Sequence, residues 1–322
     1  MILAGIDEAG YGPLLGPLVV GCCAFEVACE GGAEIPCLWK RLRRLVSKKR
    51  LRSGKKIHIN DSKLVYNPNL GLRELERSVL TVLNAWCGGC ENLDGFVARV
   101  APHAATELQD YPWYRLHEQE RFPIEHDGTA LRLFANALRM EMDKSATRCV
   151  HMAARIVHER QFNKMLSATR NKGSALFSTS AIHLDYLLTT YADRQLVIFC
   201  DRQGGRTHYG SILRQMFEDW QLEIISEADE RAEYHMRHGN NTVRIIFAEK
   251  AEAQCLPVAM ASMISKYTRE ALMGRFNAWW RAHLPSLEPT AGYYSDGIRF
   301  LRDISAKRVE LGIRDEDLVR SA

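Results

Sequence analysis

The sequence contains no apolar run long enough to cross a membrane. A membrane span needs about 18–20 consecutive apolar residues, and every hydrophobic stretch of this 322-residue chain is shorter. The first residues, Met1-Ile2-Leu3-Ala4, lack the basic head and long apolar core of a secretory signal peptide. Internal repeats and low-complexity segments are also absent. We therefore expect a cytoplasmic protein with no membrane association, large enough for one elaborated domain or two.

The cysteines and histidines lack regular spacing. There are nine cysteines, an odd number, and only Cys87 and Cys90 form a C-x-x-C pair. The second C-x-x-C that a paired zinc site requires is missing. We predict reduced, mostly buried thiols and interpret residues 87–90 as a turn that ends a helix, with a redox or metal-binding role as the alternative. Four histidines show no spacing typical of metal ligands, namely His58, His183, His208 and His235.

Acidic residues are missing from Leu38 to Asn60. These 23 residues carry ten lysines and arginines. Such a concentration of positive charge predicts contact with a polyanion, and the alternative is a solvated helix and loop. The apolar spacing within it predicts a helix with a buried stripe, formed by Leu38, Trp39, Leu42, Leu45 and Val46.

The patterning elsewhere predicts an α/β protein with a mixed sheet flanked by helices. Buried or alternating apolar runs predict strands at 2–7, 17–27, 149–157, 195–201, 222–226 and 243–248. The spacing of apolar residues predicts helices at 72–86, 129–144, 180–191 and 257–273, and a polar helical tail that reaches residue 322. The first two strands should form a hairpin, because only a Gly/Pro-rich turn separates them.

Carboxylates are present at the ends of predicted elements. Asp7 and Glu8 close the first strand before Gly10 and Gly12, Asp201 closes another, and Glu252 precedes the helix at 257. Four carboxylates that converge repel one another unless cations are bound, and hard divalent ions prefer oxygen ligands. Glycines let main-chain N–H groups approach a substrate closely. The four acids predict a two-metal site for phosphodiester hydrolysis; the alternative is that each is a cap or a surface charge.

Five segments occur in a distinctive order. They are Asp7-Glu8-Ala9-Gly10-Tyr11-Gly12-Pro13 with Gly16-Pro17, then Asn60-Asp61-Ser62-Lys63, Cys200-Asp201, the stretch from Lys250 to Glu270, and Gly292-Tyr293. Together they resemble the type 2 ribonuclease H (ribonuclease HII) family, over about two thirds of the chain. Within the fourth segment the matching positions include Lys250, Ala261, Ser262, Lys266, Thr268 and Arg269.

This resemblance implies a ribonuclease H-like fold with a mixed five-stranded sheet. Residues 1–272 would form the catalytic domain, with an insertion at about 66–145, and 273–322 a helical C-terminal extension. The implied activity is endonucleolytic cleavage of RNA in an RNA/DNA hybrid, or in duplex DNA that contains ribonucleotides. Two Mg²⁺ or Mn²⁺ ions would be held by Asp7, Glu8, Asp201 and Glu252. The implied substrate contacts are Gly10, Tyr11, Gly12, Ser62, Lys63, Ser262, Lys266 and Tyr293.

Several of these roles have structural alternatives. Glu8 could face away and cap the turn. Ser62 could be the N-cap of a helix rather than a phosphate contact. Ser262 shares a helix face with Lys266 and could simply pack on the first strand. Tyr293 could belong to the core, and Tyr294 could be the stacking residue in its place.

Three positions depart from the family pattern. Tyr11 replaces an arginine, so the main-chain contacts to a ribose 2′-hydroxyl are retained but the guanidinium is lost. Glu252 replaces an aspartate and is one methylene longer. Arg202 replaces a glycine and would either crowd the site or contact a phosphate. The changes at Tyr11 and Glu252 leave open a nucleic-acid-binding protein of this fold with impaired catalysis. A second alternative takes Asp7-x-x-Gly10-x-Gly12 as the phosphate turn of an actin-like sugar or acyl kinase, for which further glycine-rich motifs are sparse.

Overall fold

The computed structural model describes residues 1–29, 34–66, 71–115 and 120–321. Strand β1 (Ile2–Ala9) and strand β2 (Leu18–Val27) pair antiparallel, which confirms the predicted hairpin. Short elements follow, namely α1 (Leu38–Arg41), β3 (Val46–Ser47), β4 (Ile57–His58) and α2 (Ser62–Val65). The next helices are α3 (Arg73–Cys87), α4 (Leu93–Val100), α5 (Ala104–Glu107) and α6 (Gly128–Lys144).

The second half of the chain alternates strands and helices. It contains β5 (Thr147–Val157), α7 (Glu159–Thr169), α8 (Lys172–Tyr191), β6 (Leu196–Asp201), α9 (Gly210–Met216), β7 (Gln221–Glu227), β8 (Arg231–His238) and β9 (Asn241–Ala248). The chain continues with α10 (Ala251–Gln254), α11 (Leu256–His283), α12 (Tyr294–Asp303), α13 (Ser305–Glu310) and α14 (Asp315–Leu318).

The main sheet is mixed and has the strand order β5-β2-β1-β6-β9-β8-β7. β1, β6 and β9 run parallel, whereas the remaining neighbours are antiparallel. The predicted α/β class, a mixed sheet flanked by helices, is confirmed. The expected count of five strands is too low, because the hairpin of β7 and β8 extends the sheet beyond β9. β8 escaped prediction although its buried Ala232, Tyr234 and Met236 alternate with polar residues.

Helix α11 packs unusually close to the two central strands. A Cβ atom at Gly5 of β1 would lie 2.1 Å from the main-chain nitrogen of Val258, and one at Gly21 of β2 would lie 2.4 Å from the carbonyl of Ala261. Only glycine permits these approaches. The first turns of α11 therefore lie directly on β1 and β2, and they bring Ser262 and Ser265 beside Asp7.

The sheet separates two hydrophobic layers because successive strand residues face opposite sides. Leu3 and Cys23 face the layer that contains α11, whereas Ile6, Cys22 and Cys200 face the layer that contains α8. The insertion predicted at about 66–145 contributes α3, α4 and α6 to the α11 layer, where Leu83, Phe96 and Leu138 are among its buried residues. Their shared core with α11 explains why this part of the chain packs on the sheet.

The helix predicted in the basic segment is wrong beyond its first turn. α1 ends at Arg41, and the chain then turns into β3, which pairs in parallel with β4. Like charges three and four positions apart destabilise a helix, and Lys40, Arg43 and Arg44 would stand in that relation. The apolar residues of the stripe are nevertheless buried, except for Leu45, which is half-buried.

The cysteine prediction and the C-terminal prediction agree with the structure. All nine cysteines are free thiols, and α3 ends at Cys87, so residues 87–90 do follow a helix end. α12, α13 and α14 supply the predicted helical tail. α11 runs without a break through residues 272 and 273, and a domain boundary there stays a prediction. In the described part of the chain, no helix combines the length and hydropathy that a membrane crossing requires.

Candidate functional site

Four acidic side chains from three parts of the chain converge at one edge of the sheet. Ile6 pairs with Cys200, so Asp7 and Asp201 are the next residues on adjacent parallel strands. The side chain of Asp201 accepts a hydrogen bond from the main-chain nitrogen of Ala251 (3.0 Å) and shares another with the Glu252 carboxyl group. The start of α10 is therefore anchored to the end of β6, which brings Glu252 to Asp201.

Burial raises the pKa of each of these carboxyl groups, and repulsion from neighbouring acids raises the pKa of Asp7, Glu8 and Glu252 further. Burial is the largest cause in every case. The charges of Glu8 and Asp201 further raise the pKa of Asp7, which lies well above its usual range. The pKa of Glu8 is raised to about 8, with a contribution from Asp201, and that of Glu252 to about 7. These mutual influences show that the four acids share one electrostatic environment.

The donor set fits divalent cations. Glu8 Oε2 and Glu252 Oε2 are buried and accept no hydrogen bond from the described residues, and a buried carboxylate oxygen without a partner is costly. Oxygen donors of this kind suit Mg²⁺ and Mn²⁺. Among the described residues, no three of the four carboxylates have oxygen atoms all within 4.8 Å of one another.

The glycine loop between β1 and β2 is held by buried cations. Arg269 of α11 is fully buried and donates to the carbonyls of Pro17 (2.6 Å) and Leu15 (3.0 Å). Gly10 has a φ of 83°, and a Cβ atom there would lie 2.6 Å from Pro17 O, so glycine is required. Gly12 has no atom within 4 Å of its Cβ position, so the loop is open at this point.

The C-terminal end of the chain returns to the same loop. Arg320 is buried and donates from Nη1 to the carbonyl of Gly10 and from Nη2 to that of Tyr11 (3.0 Å). The Gly16 amide donates to the buried Glu159 carboxyl group (3.1 Å). Neither Arg320 nor Glu159 was predicted from the sequence. No local signal marks them, because each acts through a partner more than 140 positions away.

Two predicted serines form a pair beneath the acids. Ser262 Oγ lies 3.0 Å from Ser62 Oγ, both residues are buried, and Ser262 also hydrogen-bonds the Asp7 carboxyl group. The alternative that Ser62 caps a helix is wrong: Asp61 is the N-cap of α2, where its side chain accepts from the Lys63 nitrogen (2.9 Å). Lys63 itself is exposed, and its charge lowers the pKa of Glu8 and of Asp201.

Two further predicted substrate contacts, Lys266 and Tyr293, lie in α11 and at the start of α12. Lys266 forms an ion pair with Glu270 (2.6 Å), and its ammonium lies 4.9 Å from the ring centre of Tyr66. Tyr293 is half exposed, whereas Tyr294 is more exposed. Tyr66 follows the Asp61-Ser62-Lys63 motif closely, but nothing in the sequence analysis singled it out.

Two of the three residues that differ from the expected motifs, Tyr11 and Arg202, have partners other than the four acids, although burial and the charge of Glu8 raise the pKa of Tyr11. The Tyr11 ring lies against the start of α8, with the Lys172 ammonium 5.4 Å from its centre. The Arg202 guanidinium donates to the carbonyl of Asp229 and lies 3.7 Å from the Glu249 carboxylate. In this arrangement Arg202 does not crowd the acids.

The basic segment adjoins the acidic cluster. Lys48 Nζ donates to the carbonyl of Ala253 in α10 (2.7 Å), one residue from Glu252. Most of the remaining cations of this segment are exposed, namely Lys40, Arg43, Arg44, Lys49, Arg50, Arg52 and Lys55. Positive surface therefore continues from the acids along the basic segment.

No family model matches the chain, and no curated protein does. Among solved structures, the chain is similar to that of the PCNA:RNase HII complex from Archaeoglobus fulgidus, with 16% identity, a TM-score of 0.43, and coverage of 99% of this chain and 94% of that chain. It is also similar to ribonuclease H2 from Pyrococcus horikoshii, with 14% identity, a TM-score of 0.46, and coverage of 99% and 92%. A third similarity is to Bst-RNase HIII in complex with Mn²⁺, with 14% identity, a TM-score of 0.40, and coverage of 99% and 66%.

The raised pKa values predict how the stability of the metal-free protein depends on pH. Glu8 and Glu252 bind protons more tightly in the folded state, so the stability they contribute is full below about pH 4.5 and is lost as pH rises through about 7–8. In the unfolded chain, buried histidines with lowered pKa values, such as His151 and His183, titrate near their usual pKa of about 6.5, so they oppose this fall up to about pH 7.5. In chelator, the melting temperature should therefore fall between about pH 7.5 and pH 8.5.

Thermal denaturation in chelator and in Mg²⁺ across this range checks the expectation. Mg²⁺ should raise the melting temperature most at the alkaline end, because ligand carboxyl groups must be deprotonated to bind it. Glu8→Gln should flatten the fall in chelator. A melting temperature that stays constant or rises with pH in the metal-free wild type would contradict the assignment of these acids to one cluster.

Proposed function

We propose that the chain is a metal-dependent endoribonuclease that hydrolyses the RNA strand of RNA/DNA hybrids. The products would carry a 3′-hydroxyl and a 5′-phosphate. The observation that carries this proposal is the convergence of Asp7, Glu8, Asp201 and Glu252, with two buried oxygens lacking partners, beside an open glycine loop. The five ordered motifs support the same activity.

In this proposal the four acids hold two divalent ions, Mg²⁺ or Mn²⁺. When bound, such ions activate a water molecule and stabilise the leaving oxygen in phosphodiester hydrolysis. Asp7 and Asp201 occupy rigid strand ends, and the hydrogen bond from Ala251 to Asp201 fixes the approach of α10. Ser262 orients the Asp7 carboxyl group by its hydrogen bond. These contacts keep the acids in place before substrate arrives.

The proposed substrate contacts are chosen by the exposure and the charge of residues near the four acids. Lys63 is exposed next to Glu8 and Asp201 and is placed to bind a backbone phosphate. The open main chain at Gly12 can approach a ribose 2′-hydroxyl, the group that distinguishes RNA from DNA. Half-exposed Tyr293 offers a face on which a base or sugar can stack. The basic segment beyond Lys48 extends the phosphate-binding surface.

The test compares three labelled duplexes in Mg²⁺ and in Mn²⁺: a full RNA/DNA hybrid, DNA with one ribonucleotide, and all-DNA. We expect metal-dependent cleavage of the hybrid, none of all-DNA, and weaker cleavage at the single ribonucleotide, because Tyr11 cannot supply a guanidinium. Binding is scored separately by gel shift in Ca²⁺. Binding without cleavage in either metal would refute the nuclease and favour the alternative of a non-catalytic binder.

A further inference from the structure

A second cluster of metal-ligand side chains lies on the opposite face of the sheet from Asp7 and Asp201. Cys22 of β2, His151 of β5 and His183 of α8 place one ligand atom each within 4.8 Å of the others. Cys22 faces the α8 layer, whereas Asp7 and its partner Ser262 lie in the α11 layer. Among the described residues, no other three side chains of this chemistry meet that distance.

The sheet register explains how strand residues meet in this cluster. Cys22 pairs with Ala153 and Ala24 pairs with His151, so Cys22 and His151 are diagonal neighbours on one face. α8 crosses this face and presents His183 to both. Each ligand therefore comes from a different element, and their positions are fixed by the antiparallel pairing and by the packing of α8.

The hydrogen bonds of the cluster leave ring nitrogens free to bind a metal. His183 Nε2 lies 3.0 Å from the carbonyl of Val20, and since a carbonyl can only accept, Nε2 carries the proton and Nδ1 keeps its lone pair. His151 Nε2 is buried and has no hydrogen-bond partner. Burial lowers the pKa of His151 to about 4 and that of His183 to about 3, so both rings are neutral at pH 7.

Hydrophobic packing alone does not account for this arrangement of a thiol and two imidazoles. A buried ring nitrogen without a partner is costly, and here it stands beside a thiol and a second imidazole. The His183–Val20 bond is the kind of outer contact that orients a metal-bound histidine. A cavity of about 350 Å³ adjoins the cluster and is lined by His151, His183, His103 and Tyr186 among others. His103 Nε2 is also buried without a partner.

We propose that Cys22, His151 and His183 bind one Zn²⁺ ion, with the fourth coordination position open to this cavity. One sulfur and two imidazole nitrogens suit zinc among the common divalent metals, and three protein ligands leave a fourth position free. On binding, the Cys22 thiol releases its proton to solvent, so each ion bound as the thiolate complex liberates one proton. The hard-ion site of Asp7 and its neighbours is chemically distinct.

The test is titration of the full-length, metal-free protein with Co²⁺ in excess Mg²⁺, which occupies the oxygen ligands. Cobalt bound to a thiolate gives a sulfur-to-metal charge-transfer band, and tetrahedral cobalt gives intense visible bands. We expect both to saturate at one ion per chain and to disappear when one equivalent of Zn²⁺ is added, because zinc binds more tightly. Absence of the charge-transfer band in the wild type would overturn the proposal.

The adjacent residue supplies a matched control. Cys23→Ala removes a buried thiol that faces the α11 layer and should leave the band unchanged, whereas Cys22→Ala should abolish it. Loss of a hydrogen bond to a metal ligand weakens metal binding by about 10–100-fold. His151→Gln removes a ligand itself, so it should weaken Zn²⁺ binding by more than that. A band that survives Cys22→Ala, or affinity unchanged by His151→Gln, would refute the site. Far-UV circular dichroism establishes that each variant is folded.

Discussion

Asp7→Asn is expected to reduce metal-dependent cleavage of an RNA/DNA hybrid by at least about 1,000-fold, equivalent to about 4 kcal/mol of transition-state stabilisation. Asp7 borders Glu8 in the chain and neighbours Asp201 on the adjacent strand, and the charges of both raise its pKa. The amide keeps the shape of the side chain but loses the negative charge that would hold a cation. Single-turnover cleavage in Mn²⁺ measures the effect, and Asp201→Asn should behave alike.

The same substitution should not destabilise the metal-free protein. Burial and the charges of Glu8 and Asp201 raise the pKa of Asp7, so ionised Asp7 is disfavoured there. At about pH 8 in chelator, Asp7→Asn should melt at the same temperature as the wild type or higher. This separates loss of chemistry from loss of fold.

Glu249→Gln is a matched control for the activity of the acids. Glu249 is exposed and lies near Glu252, but its carboxylate interacts with Arg202 and not with the cluster. Its cleavage rate should remain within a few-fold of the wild type, since surface ion pairs contribute about 0–1 kcal/mol. Normal cleavage by Asp7→Asn, or an equal loss in Glu249→Gln, would remove the basis for the proposed metal site.

Arg269→Met should lower the free energy of unfolding by about 3–5 kcal/mol, a large effect for one residue. The Arg269 guanidinium is buried and donates to the carbonyls of Leu15, Pro17 and Ala291. Methionine fills part of the volume but leaves these buried carbonyls without donors. Urea denaturation measures the change, and Arg269→Lys should recover only part of it because an ammonium cannot match the planar fork.

Arg281→Met on the same helix is the control for this prediction. Arg281 is exposed and, among the described residues, donates only to the carbonyl of Leu287 (3.1 Å), so its replacement should cost no more than about 1 kcal/mol. If Arg269→Met cost as little as Arg281→Met, Arg269 would not be the residue that holds the loop between β1 and β2.

The positions of the acids in the chain were predictable because they depend on local pattern. Apolar runs mark β1 and β6, and Asp7 and Asp201 stand at their ends. The basic segment was predicted less well, since its apolar spacing indicated a helix where the structure has one helical turn and a short strand pair. Periodicity identified the residues that are buried, but it could not weigh repulsion among neighbouring cations against helix formation.

The sequence alone determined the order of the main elements, the α/β class and the residue types available for chemistry. Only the tertiary structure decided which distant residues meet: Glu252 with Asp201, Arg320 with the Gly10 carbonyl, and His183 with Cys22. The physical reason is the distance along the chain over which each kind of interaction acts. Strand and helix periodicity is encoded within a few residues, whereas strand register and helix docking arise from packing across the whole core.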